Sequence, residues 1–133
     1  MDSTDNRAVV AEIYEAANRG DLPFIQARLH PDIVLHQAAS LPYGGEYVGR
    51  DATMGCLIKM FTEHLDVTAL TVHNIAVDED MVITAVDLAA TARSTGKDVS
   101  MPFRECFRIR DGLVVDLQPF YYDTVAFAAA FES

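Results

Sequence analysis

Basic residues are scarce: 10 Lys and Arg stand against 20 Asp and Glu, a formal charge of −10. A nucleic-acid surface or an anionic lipid surface needs a basic face, so neither nucleic acid nor membrane is expected as a partner. Cysteine is nearly absent. Cys56 and Cys106 are the only two, and no motif links them. Two free thiols fit a reducing cytoplasm, and a cytoplasmic location is expected. No apolar run reaches the ~18 residues of a membrane-spanning helix. The opening residues Met1 to Asp5 are acidic and polar, unlike the basic start and apolar middle of a signal peptide. The four histidines, His30, His36, His64 and His73, have no HExxH or paired-ligand spacing, so no metal is expected. G-x-G-x-x-G, P-loop and G-x-S-x-G patterns are missing too, so no cofactor and no serine nucleophile are expected.

What is present is ordinary core material. Half of the 133 residues are hydrophobic and 23% are charged, which excludes a disordered chain. That length suits one domain, residues 1–133, with residues 1–5 expected to be disordered. Val9, Val10, Ile13 and Ala17 recur at helical spacing and Gly20 follows as a stop signal. Asp21 can cap a second short helix, with Pro23 in its first turn, Ile25 and Leu29 inward, and Pro31 as its end. Ile33 to Ala38 reads as a strand and residues 39–50 as a Gly- and Pro-rich loop carrying Tyr43 and Tyr47. A third helix from about Asp51 carries the stripe Met54, Leu57, Ile58, Phe61 and Leu65. Strands follow at Val67 to Val77, Met81 to Ala92, Met101 to Arg110 and Leu113 to Tyr122, the last two joined by Asp111-Gly112. A short helix, Val125 to Phe131, closes the chain behind Asp123 or Thr124 as cap. Helices first and strands later imply an α+β fold, with helices packed on one face of a curved antiparallel sheet.

Around the Thr95-Gly96 turn, residues whose numbers sum to about 191 should oppose each other. Leu88 then faces Phe103, Val86 faces Glu105, and Asp87 faces Arg104 as a cross-strand ion pair. One face carries Thr84, Val86, Leu88 and Ala90 with Met101, Phe103, Glu105, Phe107 and Ile109. That face is apolar and belongs toward the helices. Glu105 is its anomaly, because glutamate is rarely buried unless paired. Desolvation raises a carboxyl pKa toward the range useful for acid–base work near neutral pH. Two readings stay open, an acid–base group or a carboxyl tied to a core tyrosine or glutamine. Parity also puts Ile33, Leu35 and Gln37 on one face, with His36 outward. A slip of one residue exchanges His36 and Gln37. Without a bulge after Asp111-Gly112, the inward set Val115, Leu117, Pro119 and Tyr121 shifts by one.

The order of elements resembles the nuclear transport factor 2-like superfamily, with its ketosteroid isomerases and SnoaL-like polyketide cyclases. The marks are Ala17-Asn18-Arg19-Gly20-Asp21-Leu22, Leu29-His30-Pro31-Asp32-Ile33-Val34, Tyr47-Val48-Gly49-Arg50-Asp51-Ala52, and Phe107 through Val115. The resemblance implies a cone, a sheet wrapped around three N-terminal helices, with an apolar pocket at the wide end. It leaves the chemistry open, because one fold hosts many activities. Aligned on the isomerase strand, Glu105 falls on the protonated carboxylic acid of the oxyanion hole. The isomerase's oxyanion tyrosine falls on Ile13, with Tyr14 one position off and about 100° around the helix, given 3.6 residues per turn. Its general-base aspartate falls on Gln37, and the acid–base aspartate of the cyclases falls near Pro119.

The expected site therefore has Glu105 as acid or base, with Gln37 and Tyr14 assisting. His36, Tyr43, Tyr47, Phe61, Leu88, Phe103 and Tyr121 are the expected pocket residues. The loop 41–47 is either a lid or a connector packed on the sheet edge. The expected activity is isomerase, cyclase or hydratase-type proton transfer on a small apolar molecule. The alternatives are a non-catalytic binding module and a dimeric interaction domain. The outer sheet face around Cys106 is the expected homodimer surface.

Overall fold

The computed structural model describes residues 3–132. Helix α1 (Ser3–Asn18) includes Ser3 to Asp5; Met1 and Asp2, also within the segment expected to be disordered, lie outside the described residues. Its buried positions Asn6, Val9, Val10, Ile13, Tyr14 and Ala16 form one stripe. Gly20, at φ +71°, ends it: the amide of Asp21 bonds the carbonyl of Ala16 and that of Gly20 bonds Ala17. This paired closure needs a left-handed residue, which glycine supplies without strain. Asp21 then accepts from the amide of Phe24 and caps α2 (Leu22–Ala27).

Strand β1 (Leu29–Gln37) starts earlier than expected. Leu29 is a buried strand residue, not part of α2, and Pro31 does not end a helix. Pro31 falls in the gap between Leu29 and Val34, where the ladder to the neighbouring strand is interrupted and no proline donor is missed. The expected loop 39–50 contains a short edge strand, β2 (Gly45–Val48), paired antiparallel with β1. Gly44 is required there, since a Cβ would sit 2.3 Å from the carbonyl oxygen of Ala38.

Helix α3 (Arg50–Lys59) gives way to a π-helical turn, Met60–His64, and Leu65 opens β3 (Leu65–Asp78). The expected stripe thus fails at two places. Ile58 is 45% exposed and Leu65 is a strand residue. The amide of Leu65 reaches back five residues to Met60, so the wider turn changes the phase of the helix before it ends.

The remaining strands are β4 (Met81–Ala92), β5 (Asp98–Arg110) and β6 (Leu113–Tyr121), followed by α4 (Thr124–Ala129), capped by Asp123. The six-stranded sheet has the order β2-β1-β6-β5-β4-β3 and is curved and unclosed. It is mixed rather than wholly antiparallel, because β6 returns alongside β1 in parallel. Two register shifts in β3 and one between β5 and β6 mark bulges that bend such a sheet. The α+β cone is therefore the fold.

The β4–β5 register is shifted by two from the expected one, with Thr84 opposite Glu105, Val86 opposite Phe103 and Leu88 opposite Met101. The hairpin closes on Ala92 and Lys97, and the left-handed Gly96 is the last loop residue rather than a central one. A shift of two keeps every side chain on its expected face but changes its partner. Arg104 lies opposite Ala85, so the expected ion pair with Asp87 does not form; Asp87 bonds Nε2 of His73 at 2.7 Å instead. Past the Asp111-Gly112 turn, Val114 is the first buried residue and Val115 forms the bulge; Leu117, Pro119 and Tyr121 then face inward.

Candidate functional site

A cavity of about 90 Å³ lies between the inner face of the sheet, α1 and the end of α3. Its wall is apolar apart from Tyr14, Gln37, Glu105 and Tyr121, and Glu105 is its one ionisable acid; no Lys, Arg or His lines it. The alternation that buries Phe103 and Phe107 aims Glu105 into this space, where it is half-buried and lines the cavity.

The hydroxyl of Tyr14 donates to Oε1 of Glu105 at 2.7 Å. That uses its single proton, so Thr84 Oγ1, also 2.7 Å away, donates to Tyr14. Among the described residues no hydrogen bond reaches Oε2 of Glu105. The chain Thr84–Tyr14–Glu105 thus fixes one carboxyl oxygen and leaves the other toward the cavity. It works in both protonation states, since a proton on Oε2 leaves Oε1 an acceptor. Burial raises the Glu105 pKa from 4.5 to about 7, and the Tyr14 hydrogen bond pulls it down. Burial and then the Glu105 charge push Tyr14 far upward, so it stays a donor.

A second chain lies on β1 and β6. Tyr121 donates to Oε1 of Gln37 at 3.3 Å, so Tyr43, 3.2 Å from the Tyr121 hydroxyl, donates to Tyr121. Gln37 is buried, and its Nε2 has only the sulfur of Met60, 3.9 Å away. An amide donor is left facing the cavity. Pro119 pairs with Glu105, and the β1–β6 register carried on from Leu35 puts Gln37 beside the same proline. The two polar groups are therefore two strands apart, about 10 Å at ~4.8 Å per strand.

Of the expected pocket residues, Phe61, Leu88, Phe103 and Tyr121 line the cavity, as do the three expected catalytic residues. His36 does not. It points outward between Glu46 and Asp116, each 2.9 Å from one of its ring nitrogens, because β1 alternates without a slip. Tyr43 and Tyr47 stand behind the wall: Tyr43 backs Tyr121, and the Tyr47 hydroxyl donates to the carbonyl of Tyr43. Leu41 and Tyr43 are buried, so the loop before β2 packs as a connector. Despite the one-residue offset from the isomerase tyrosine, Ile13 and Tyr14 both reach the cavity, and Tyr14 makes the bond to Glu105. Thr84 is the residue missed; the true register places it directly opposite Glu105. Among the described residues no group of three or more His, Cys, Asp or Glu could hold a metal ion, and no helix is long and apolar enough to cross a membrane.

The family model of the SnoaL-like domain matches residues 10–117. The chain belongs to the SnoaL-like family. Solved structures similar to this SnoaL-like protein share the nuclear transport factor 2-like fold. A protein of unknown function from Burkholderia pseudomallei is 24% identical with a TM-score of 0.87, over 97% of this chain and 98% of that one. TerC, co-crystallised with polyporic acid, is 20% identical with a TM-score of 0.82, over 97% and 99%. A protein from Jannaschia sp. CCS1, provisionally assigned as a SnoaL-like polyketide cyclase, is 18% identical with a TM-score of 0.81, over 98% and 94%. No curated protein matches this SnoaL-like chain.

Tyr14→Phe tests the first chain. It leaves Oε1 of Glu105 without its donor, at a cost of about 1–3 kcal/mol. The lost bond is the one that lowers the Glu105 pKa, so that pKa will move above 7. Carboxyl-carbon NMR through a pH titration reads it; a pKa that stays or falls refutes the role given to Tyr14.

Proposed function

We propose that this SnoaL-like protein is an enzyme that moves a proton on a small apolar molecule, in a reaction of the isomerase, cyclase or hydratase type. One observation carries the reading: a single carboxyl with an open oxygen in a largely apolar cavity, its pKa raised to about 7 by burial. Both protonation states are populated at neutral pH, so Oε2 can take a proton from one ligand atom and return it to another. No proton is consumed in that cycle. Nε2 of Gln37 would hold a ligand carbonyl oxygen as negative charge builds on it. An anionic ligand would find no cation in the wall, so a neutral one fits. TerC, which shares the fold, was co-crystallised with polyporic acid, and this supports a small organic ligand.

The rival is a binding module. It is favoured by the cavity wall, which offers one carboxyl and no Lys or His beside it, so Glu105 and Gln37 can anchor a ligand without a second acid–base group. A panel of enone and epoxide substrates separates the two. Turnover that disappears in Glu105→Gln supports the enzyme; binding without turnover in either protein supports the module.

The proposal includes a cytoplasmic homodimer, supported by the free cysteines and by the outer sheet face. Ile83, Phe120 and Tyr122 are exposed there, flanking Arg104 and the half-buried Cys106. Sedimentation velocity at micromolar concentration should give the mass of two chains, and a single-chain mass rejects the dimer.

A further inference from the structure

A ligand larger than the cavity must displace part of its wall. A dry cavity near 150 Å³ holds one benzene, by comparison with engineered cases, and this one measures about 90 Å³. The sheet cannot give way without breaking its ladder. The π-helical turn Met60–His64 is different. None of its residues is buried, yet Met60 and Phe61 line the cavity.

The His64 ring packs on Tyr43 and Phe131, and the backbone carbonyls of the turn are held from the β4–β5 hairpin. The guanidinium of Arg93 donates from Nη2 to the carbonyl of Phe61 at 2.8 Å and from Nε to that of Leu65 at 3.1 Å. The amide of Arg93 donates to the carbonyl of His64 at 2.9 Å. A helix end leaves such carbonyls without intrahelical partners, and a planar fork of charged donors suits two of them at once. The same hairpin reaches the other side, where Thr95 Oγ1 and Lys97 Nζ donate to the carbonyls of Ala130 and Glu132.

We infer that Arg93 is a positioning residue: through its bonds to Phe61 and Leu65 it latches the π-helical turn as a wall of the cavity and so limits the size of ligand admitted. This deepens the proposed function and rests on the cavity being the ligand site. Arg93 touches no reacting group. It is exposed, so water replaces its bonds to the carbonyls when it is lost, and global stability should change little.

The test uses the full chain with Arg93→Ala and Arg93→Lys. Amide hydrogen exchange at residues 61–66 should accelerate at least about tenfold in Arg93→Ala, with the urea midpoint nearly unchanged, and recover in part in Arg93→Lys, which can reach one carbonyl. Methyl NMR titrations with benzene and naphthalene read the cavity itself. The ratio of naphthalene to benzene affinity should rise about tenfold in Arg93→Ala. Unchanged exchange overturns the latch. Faster exchange with an unchanged affinity ratio overturns its control of ligand size. Failure of every protein to bind either probe sinks the ligand-site reading and the size limit with it, while the exchange data still decide whether Arg93 holds the turn.

Discussion

In Glu105→Gln, turnover is expected to vanish while stability at pH 8 rises above that of the unmodified protein. The carboxyl has a pKa of about 7 in the folded chain against 4.5 as the ordinary value. Between these pH values the folded state keeps a proton that the unfolded state has released. Stability therefore falls as pH rises from 4.5 to 7 and is flat above, because both states are then ionised. The full effect is on the order of 3 kcal/mol, taking 1.36 kcal/mol per pH unit. Glutamine carries no charge to desolvate. Its oxygen can keep the bond from Tyr14 and its amide can face the cavity. Urea midpoints of both proteins at pH 5, 6, 7 and 8 read the difference, which cancels the slopes of all other carboxylates. The curves should diverge upward through pH 7. Parallel curves would mean that Glu105 titrates like an ordinary surface acid, and the acid–base reading would go with them.

Glu105 is legible in the sequence for the same reason that its carboxyl is costly to ionise. An acid among Met101, Phe103, Phe107 and Ile109 has no solubility purpose, and strand alternation alone sends it inward. Gln37 follows from the same rule on β1. Parity needs only the sequence, because it survives any even shift of register. The partner of a side chain does not survive it. Thr84 and the false Asp87–Arg104 pair both come from placing the hairpin centre one residue too late. The π-helical turn was hidden for another reason. Phe61 and Leu65 fit a continuous helical stripe, and the carbonyls at the helix end are bonded by Arg93, about 30 positions along the chain. Parallel pairing of β1 with β6 is likewise a long-range contact that local periodicity does not encode. Tyr14 shows the limit of alignment, since the isomerase tyrosine falls on Ile13 while the side chain one position on reaches Glu105 at 2.7 Å.

Phe107→Ala is expected to lower stability by about 3–5 kcal/mol, a large part of the roughly 5–15 kcal/mol that holds a domain together. The ring is 1% exposed. Its strand neighbours are Val82 and Leu117, and it meets Tyr14 edge to face at 6.0 Å. All three positions sit on hydrogen-bonded or packed backbone, so they cannot collapse into the space left behind. The void would join the existing cavity, which Phe107 already lines. Tyr14 would lose the ring that sets its position, so its bond to Glu105 should loosen and the Glu105 pKa should rise further. Phe107→Leu keeps most of the volume and should lose far less, under about 1.5 kcal/mol. Urea midpoints at constant m-value measure both substitutions. Added benzene should restore part of the lost stability in Phe107→Ala, because an apolar void of that size binds it. A loss below about 1 kcal/mol in Phe107→Ala would mean that the sheet closes over the gap, and that the cavity wall is soft where it is taken to be rigid.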